Sequence, residues 1–362
     1  MNKGKLLAST VLVSAAAVMA ASGASAKVKI SGSAEHWVGY GENKKSINDV
    51  QNEFDVKSDA EIHFSFGSKL KNGMKLSGKM EMEANVGMDS TTVTNGGGLK
   101  DSVFDEGSMT LSGSFGKLTL GNNDVAAAHV GSIKVVGPVG IIKSDAGDWV
   151  KGSYEHNNLD SDLGAGDSQA IIFFTPKIGG LQFGMSYTPD NSDAVDSDYD
   201  DTETSGPHNW ISGVVKYSGK AGKSKVGLGL GYTMNEATDS GSNADGEAYG
   251  IAASIANGPY SITMGYAHES VGGASNDDSF LGAGIKYKMG KGATMSIGYG
   301  RGVEDNDTGD DTSSSVTTIG YEKSLGGGVS WGSSLAWAEI DQSGAANDQN
   351  GIMIVTGIKA KF

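Results

Sequence analysis

The sequence contains no cysteine, and it has 5 prolines against 56 glycines in 362 residues. Without cysteine, no disulfide framework braces the fold. So few prolines leave long segments free to form hydrogen-bonded ladders, and so much glycine suits pleated sheet with tight turns and close backbone contacts. Beyond residue 26, no run is apolar for long enough to make a transmembrane helix. Any passage through a membrane must therefore be made by strands closed into a sheet without edges. Basic residues are also scarce, 28 against 43 acidic, for a formal net charge of −15. Such a chain is a poor partner for nucleic acid, whose binding depends on neutralised phosphates. Arginine occurs once, at Arg301.

The chain opens with Lys3 and Lys5, continues through an uncharged apolar stretch from Leu6 to Ala21, and reaches Ala24-Ser25-Ala26. That three-part pattern predicts a secretory signal peptide over 1–26, cleaved before Lys27. Its removal takes two lysines and leaves the mature chain more acidic still. Residues 27–362 show no linker or change of composition, which predicts one large architecture.

Within that region the dominant signal has period two. From Glu53 to Phe66 the odd positions hold Glu53, Asp55, Lys57, Asp59, Glu61 and His63, and the even ones Phe54, Val56, Ala60, Ile62, Phe64 and Phe66. The next segment sets Lys75, Lys79, Glu81 and Glu83 against Leu76, Met80 and Met82. Alternation alone fits any half-buried strand, but these segments run to ten or more residues. Soluble strands are usually about 5–6 residues long, and a tilted membrane strand needs about 9–11.

Later segments repeat an ascending run that ends on tyrosine: Leu181-x-Phe183-x-Met185-x-Tyr187, then Val226 to Tyr232, Tyr260 to Tyr266 and Met295 to Tyr299. Tyr217, Tyr287 and Tyr321 lie at the opposite strand ends. Two aromatic girdles at the two membrane interfaces account for this placement.

Seven tight turns, near 68–73, 113–116, 176–180, 218–223, 257–259, 289–292 and 325–328, alternate with longer Gly/Asp/Ser-rich connections. Adding a first strand near 27–40 and a last near 352–362 gives about sixteen strands. The predicted fold is all-β, a transmembrane antiparallel β-barrel with both termini on the periplasmic side.

On these residues the sequence resembles the Gram-negative general porin family over the whole mature chain. Val28-Lys29-Ile30-Ser31-Gly32-Ser33 looks like a porin first strand. Gly113-Ser114-Phe115-Gly116-Lys117-Leu118-Thr119-Leu120-Gly121-Asn122 looks like the hairpin leading to the pore-constricting third loop, and Phe174 to Leu181 resembles the strand and turn that follow it. The terminal Phe362, with Ile358 and Ala360 on its face, resembles the signal read by the barrel-insertion machinery. The resemblance implies a homotrimer of sixteen-stranded barrels, in outer-membrane lipid and lipopolysaccharide, passing small hydrophilic solutes and ions by diffusion. It implies no cofactor and no enzymatic activity.

The connection at about 123–169 is far longer than any other, and long loops in compact folds carry function or are disordered. It is expected to fold into the lumen, with its apolar part, Val130 to Ile142, against the inner wall. Asp145, Asp148 and Glu155 are candidates for its charged edge, and equally fit a solvated loop surface. The wall opposite carries Lys57, Lys75 and Lys79 with Glu81 on the polar parity. Porins of this family commonly present an arginine cluster there. Its absence, with the acidic balance, predicts a weak cation preference. The acidic stretches Asp196 to Glu203 and Glu304 to Asp311 could bind divalent cations but lack ordered ligand spacing. Trp149, Trp210 and Trp331 are not placed by the periodicity.

Rival readings fare worse. The six histidines sit in no nucleophile motif, and no nonapeptide repeat supports a calcium-binding solenoid. A substrate-specific channel or a surface adhesin barrel remains the alternative within the barrel class.

Overall fold

In the computed structural model the described residues are 28–43, 54–83, 104–130, 149, 163–166, 168–190, 208–236, 245–271, 276–306, 311–342 and 349–362. The expected signal peptide lies outside them. They form sixteen strands: β1 Lys29–Asn43, β2 Phe54–Lys69, β3 Lys75–Glu83, β4 Phe104–Gly113, β5 Gly116–Asn123, β6 Ser168–Phe174, β7 Leu181–Asp190 and β8 His208–Ala221; then β9 Ser224–Glu236, β10 Gly246–Asn257, β11 Tyr260–Val271, β12 Asn276–Gly290, β13 Ala293–Asn306, β14 Thr312–Gly326, β15 Val329–Gln342 and β16 Gln349–Lys361. Each strand pairs antiparallel with its sequence neighbours, and β16 pairs with β1 to close the barrel. No described helix is long and apolar enough to cross a membrane.

The strands read as they do because each alternates, yet the sense of the alternation is the reverse of that in a protein built for water. Along β9, Leu228, Leu230, Tyr232 and Met234 are exposed, while Gly229, Gly231, Thr233 and Asn235 are buried. In water the apolar face would be the covered one. Here it is the outer one, as hydrocarbon requires.

The girdles fall where the tyrosines predict. Near the end carrying the long connections, Tyr187 donates to Asn209 Oδ1 at 2.6 Å and Tyr232 to Glu247 Oε2 at 2.9 Å. Near the short-turn end, the Tyr260 and Tyr287 rings lie 4.9 Å apart and those of Tyr321 and Trp331 5.5 Å apart. In each case the ring sits on the apolar exterior and a polar tip can reach the interface.

Several boundaries move outward from those expected. β1 runs on to Asn43, β16 begins at Gln349, and the turn expected over 218–223 shrinks to Gly222 and Lys223. Lys220 still pairs with Lys225, and Ala221 with Ser224. The Gly/Lys-rich sequence there reads as a turn, and the ladder overrides it. At the seam, Gly32 N–H donates to Phe362 O at 2.9 Å and Phe362 N–H to Gly32 O at 3.0 Å.

Buried apolar residues do not form one core. They gather in three groups, all on the inward parity, where the wall meets described parts of the long 124–167 connection.

Candidate functional site

Register carries the inward parity around the barrel and divides the lumen surface into two unlike walls. On β1 to β4 the inward positions include Glu35, Lys57, Asp59, Glu61, His63, Lys75, Lys79, Glu81, Glu83 and Glu106, because Trp37 pairs with Lys57, Glu35 with Asp59, His63 with Glu81 and Lys79 with Ser108. Strand alternation fixes the side on which each charge stands. From β7 round to β15, the same parity is dominated by residues such as Ser186, Ser212, Gly231, Ala248, Ala252, Thr318 and Ala336.

On the charged wall, His63 Nε2 lies 2.9 Å from Glu61 Oε2 and 3.7 Å from Glu81 Oε1. The Lys79 ammonium contacts Glu81 and stands 3.6 Å from Glu106 Oε2, which also accepts from Asn123 Nδ2 at 3.3 Å. At the seam, Glu35 is 1% exposed, pairs with Lys359 and accepts from Trp37 Nε1 at 3.3 Å. Trp37 is fully covered, packed on Ala336, Ala338, Met353 and Val355.

The small-residue wall receives the two described ends of the long connection. Ala126 N–H donates to Ser186 Oγ at 2.9 Å, and Ala127 N–H to Ser212 Oγ at 2.7 Å, at the start of a single 3-10 turn, Ala127–Val130. Ala126 and Val130 pack with Val214, Ala252, Ala267 and Phe280. At the other end Leu163 and Ala165 pack with Val125, Trp210 and Ala248, and Trp210 Nε1 donates to Leu163 O at 3.3 Å. Small side chains are what this wall needs: a Cβ on Gly231 would meet Val130 and Ala127.

Trp149, further along the connection, packs elsewhere, against the Trp37 group on β1, β15 and β16. Its ring lies over Gly39 and its backbone against Gly41, so closely that a Cβ on either would overlap it. Lys57 Nζ stands 5.4 Å from that ring, within cation–π range.

At the start of the connection the His129 ring meets Phe174 edge to face at 4.9 Å, and Lys216 Nζ lies 4.9 Å from the same Phe174 ring. Burial pushes the His129 imidazole below its ordinary range. Lys216 acts in the same sense, Asp124 opposes it, and Lys117 adds to the lowering.

Of the candidates taken from the sequence, Lys57, Lys75, Lys79 and Glu81 stand on the lumen face. Lys79 and Glu81 are brought together, Lys57 is set apart under Trp149, and Lys75 lies toward the short-turn end. Asp145, Asp148 and Glu155 lie outside the described residues, as do 131–142 of the expected apolar segment. Of that segment only Val130 is described, and the observed contacts begin earlier, at Val125.

The periodicity did not single out Glu35, Trp37, Lys359, Phe174 or Lys216. The available signal was a bulky or charged residue on the parity otherwise given to serine and glycine, as with Trp37 after Ser31 and Ser33.

The family profile of Gram-negative porins matches residues 8–343. No curated protein matches. Among solved structures, an anion-selective porin from Comamonas acidovorans is 18% identical, with 93% of this chain and 100% of that chain covered and a TM-score of 0.62. A porin refined at 1.8 Å resolution is 20% identical over 93% and 100%, with a TM-score of 0.58. The trimer form of in-vitro folded OmpT, an outer membrane protein of Vibrio cholerae, is 12% identical over 93% and 99%, with a TM-score of 0.61.

Proposed function

Because the chain belongs to the Gram-negative porin family, forming an outer-membrane channel and not an enzyme, we propose that it passes small hydrophilic solutes and ions by passive diffusion, with a weak preference for cations. The observation that carries the reading is the reversed exposure of the strands: an apolar exterior, and an interior built from charged, small and hydroxylated residues. Such a barrel makes no bonds. Its interior sets the width, and its charges set the local ion concentration.

The two ends of the 124–167 connection on one wall, and Trp149 on another, support a loop that enters the lumen and narrows it. In this reading Asp145, Asp148 and Glu155 lie along its charged edge, and Lys57, Lys75, Lys79 and Glu81 line the barrel wall. The sign of selectivity is not a property of the barrel itself, since one structural relative is named as anion-selective. Here the carboxylates Glu35, Asp59, Glu61, Glu81, Glu83 and Glu106 share the β1–β4 wall with fewer lysines, and the chain as a whole is acidic.

We assign it a homotrimeric assembly with termini and short turns toward the periplasm. Lipid and lipopolysaccharide meet the outer girdles, and the terminal strand with Phe362 is presented to the insertion machinery. The acidic outer connections, which lack ordered ligand spacing, are read as solvated loops, with divalent cations there as the alternative.

Conductance of the refolded protein in a planar bilayer under a salt gradient tests it. Stepwise triplet openings with a reversal potential of cationic sign are expected. An anionic sign overturns the preference, and folded, inserted protein without steps overturns the channel and favours a plugged or adhesive barrel.

A further inference from the structure

On the charged wall, β2 and β3 place His63 directly opposite Glu81, and Glu61 precedes His63 by two residues on the same face. The imidazole Nε2 is 2.9 Å from Glu61 Oε2 and 3.7 Å from Glu81 Oε1. These donor atoms all lie within 4.8 Å of one another. Two ligands of one tetrahedral zinc ion, bonded at about 2.0–2.2 Å, stand roughly 3.4 Å apart. Small side-chain rotations are enough to close such a set on one ion, and water can complete the shell. An imidazole with two carboxylates is also a donor set suited to first-row transition ions, whereas Mg2+ favours oxygen donors and keeps most of its water.

Glu81 is not idle, because the Lys79 ammonium already contacts it. The same ammonium stands 3.6 Å from Glu106, so it has a second carboxylate to take up when Glu81 turns to a cation. Binding therefore does not strand a positive charge on the wall. The arrangement holds an exchangeable internal cation, the Lys79 ammonium, on a carboxylate that also lies near an imidazole nitrogen.

We propose that Glu61, His63 and Glu81 form a lumen-wall site for a first-row divalent transition ion, of which Zn2+ is the simplest, filled by exchange with Lys79, which shifts to Glu106. The bound ion brings two positive charges to the middle of β2, facing the lumen, and reduces cation passage. That consequence rests on the channel reading, whereas binding itself does not.

Equilibrium dialysis of Zn2+ against the refolded full chain in detergent, with excess Mg2+ to occupy acidic loops, tests binding. One Zn2+ per barrel is expected. His63→Ala weakens it by about tenfold or more, an effect of the order seen when metal-site groups are lost. Lys79→Met removes the competitor and tightens it by about two- to fivefold, the range of an exposed ion pair. Tighter binding at one Zn2+ per barrel in a Lys79→Met variant whose strand content by circular dichroism matches that of the unaltered protein keeps the test sound if the first variant unfolds. Zn2+ binding unchanged in His63→Ala, binding unchanged or weaker in Lys79→Met, or displacement of Zn2+ by Mg2+ at comparable concentration overturns the site. Zn2+ added to the conducting bilayer reads the consequence separately. A barrel that conducts but binds no Zn2+ refutes the site and leaves the channel standing, and one that binds Zn2+ but never conducts does the reverse.

Discussion

The two halves of the lumen surface differ more than any two elements of the barrel do. The β1–β4 wall, with the seam to β16, carries long charged side chains held by one another, as in Lys359–Glu35, Lys79–Glu81 and His63–Glu61. The β7–β12 wall is lined at its middle mostly by glycine, alanine, serine and threonine, with Lys216 against Phe174, and it is covered there by chain from elsewhere, Val125 to Val130 and Leu163 to Ala165. One wall bears its own charges. The other is thin where a segment from elsewhere in the chain lies on it, and a serine hydroxyl from the wall satisfies each of two backbone donors of that segment.

The sharpest way to break this contrast is at the seam, where the charged wall has its one apolar anchor. Trp37→Ala empties a fully buried site among Ala336, Ala338, Met353 and Val355 and is expected to cost about 3–5 kcal/mol, read from urea-induced unfolding in detergent. Next comes Glu35→Leu, which leaves Lys359 without its carboxylate in a covered place. About 3 kcal/mol is expected, and the double variant Glu35→Leu/Lys359→Met should recover most of it in the same assay. If the double is as unstable as the single, the pair matters for its shape and not for its charge.

The thin wall is tested by Gly231→Leu. A side chain there meets Val130 and Ala127, so docking of the loop start weakens by about 1–3 kcal/mol, the usual cost of overpacking. Single-channel conductance should rise while the sign of the reversal potential stays unchanged. An altered sign with unchanged conductance would mean that this wall sets charge after all.

The smallest effect concerns His129, which faces Phe174 with Lys216, Lys117 and Asp124 around it. Its docked state holds a proton less readily than a free imidazole. Docking is therefore at full strength above about pH 6.5, weakens as pH falls below that value, and levels off once the lowered value is passed. Flicker of single-channel current should increase between pH 7.5 and 5.5, and His129→Phe should abolish the dependence.

Most of the barrel could be read from the chain because each strand declares its face locally. The alternation from Phe54 to Phe66 and the recurring tyrosines need no partner to be recognised, and the tight turns delimit the strands. What the sequence did not disclose depends on register between distant segments. Glu35 meets Lys359 only because β1 pairs with β16 at one register, and Glu61, His63 and Glu81 converge only because β2 and β3 align His63 with Glu81. Trp149 could not be placed because its seat, over Gly39 and Gly41, lies more than a hundred residues away in the chain. Lysines and carboxylates on the polar parity were visible as charges, but not as pairs.

The seam between Gly32 and Phe362 also imposes an order in time. The first strand of the chain finds its second neighbour only when the last one arrives, so until the barrel closes β1 has an edge of unpaired amides and carbonyls. Such an edge can pair with any other extended chain, and contacts between opposite ends of a polypeptide are slow to form. The hazard ends only in the final step of assembly, at the ladder that runs from Ser33↔Lys361 to Asn43↔Gly351. Closure thus joins residues more than three hundred positions apart, and the same ladder that ends the exposure of β1 ends that of β16.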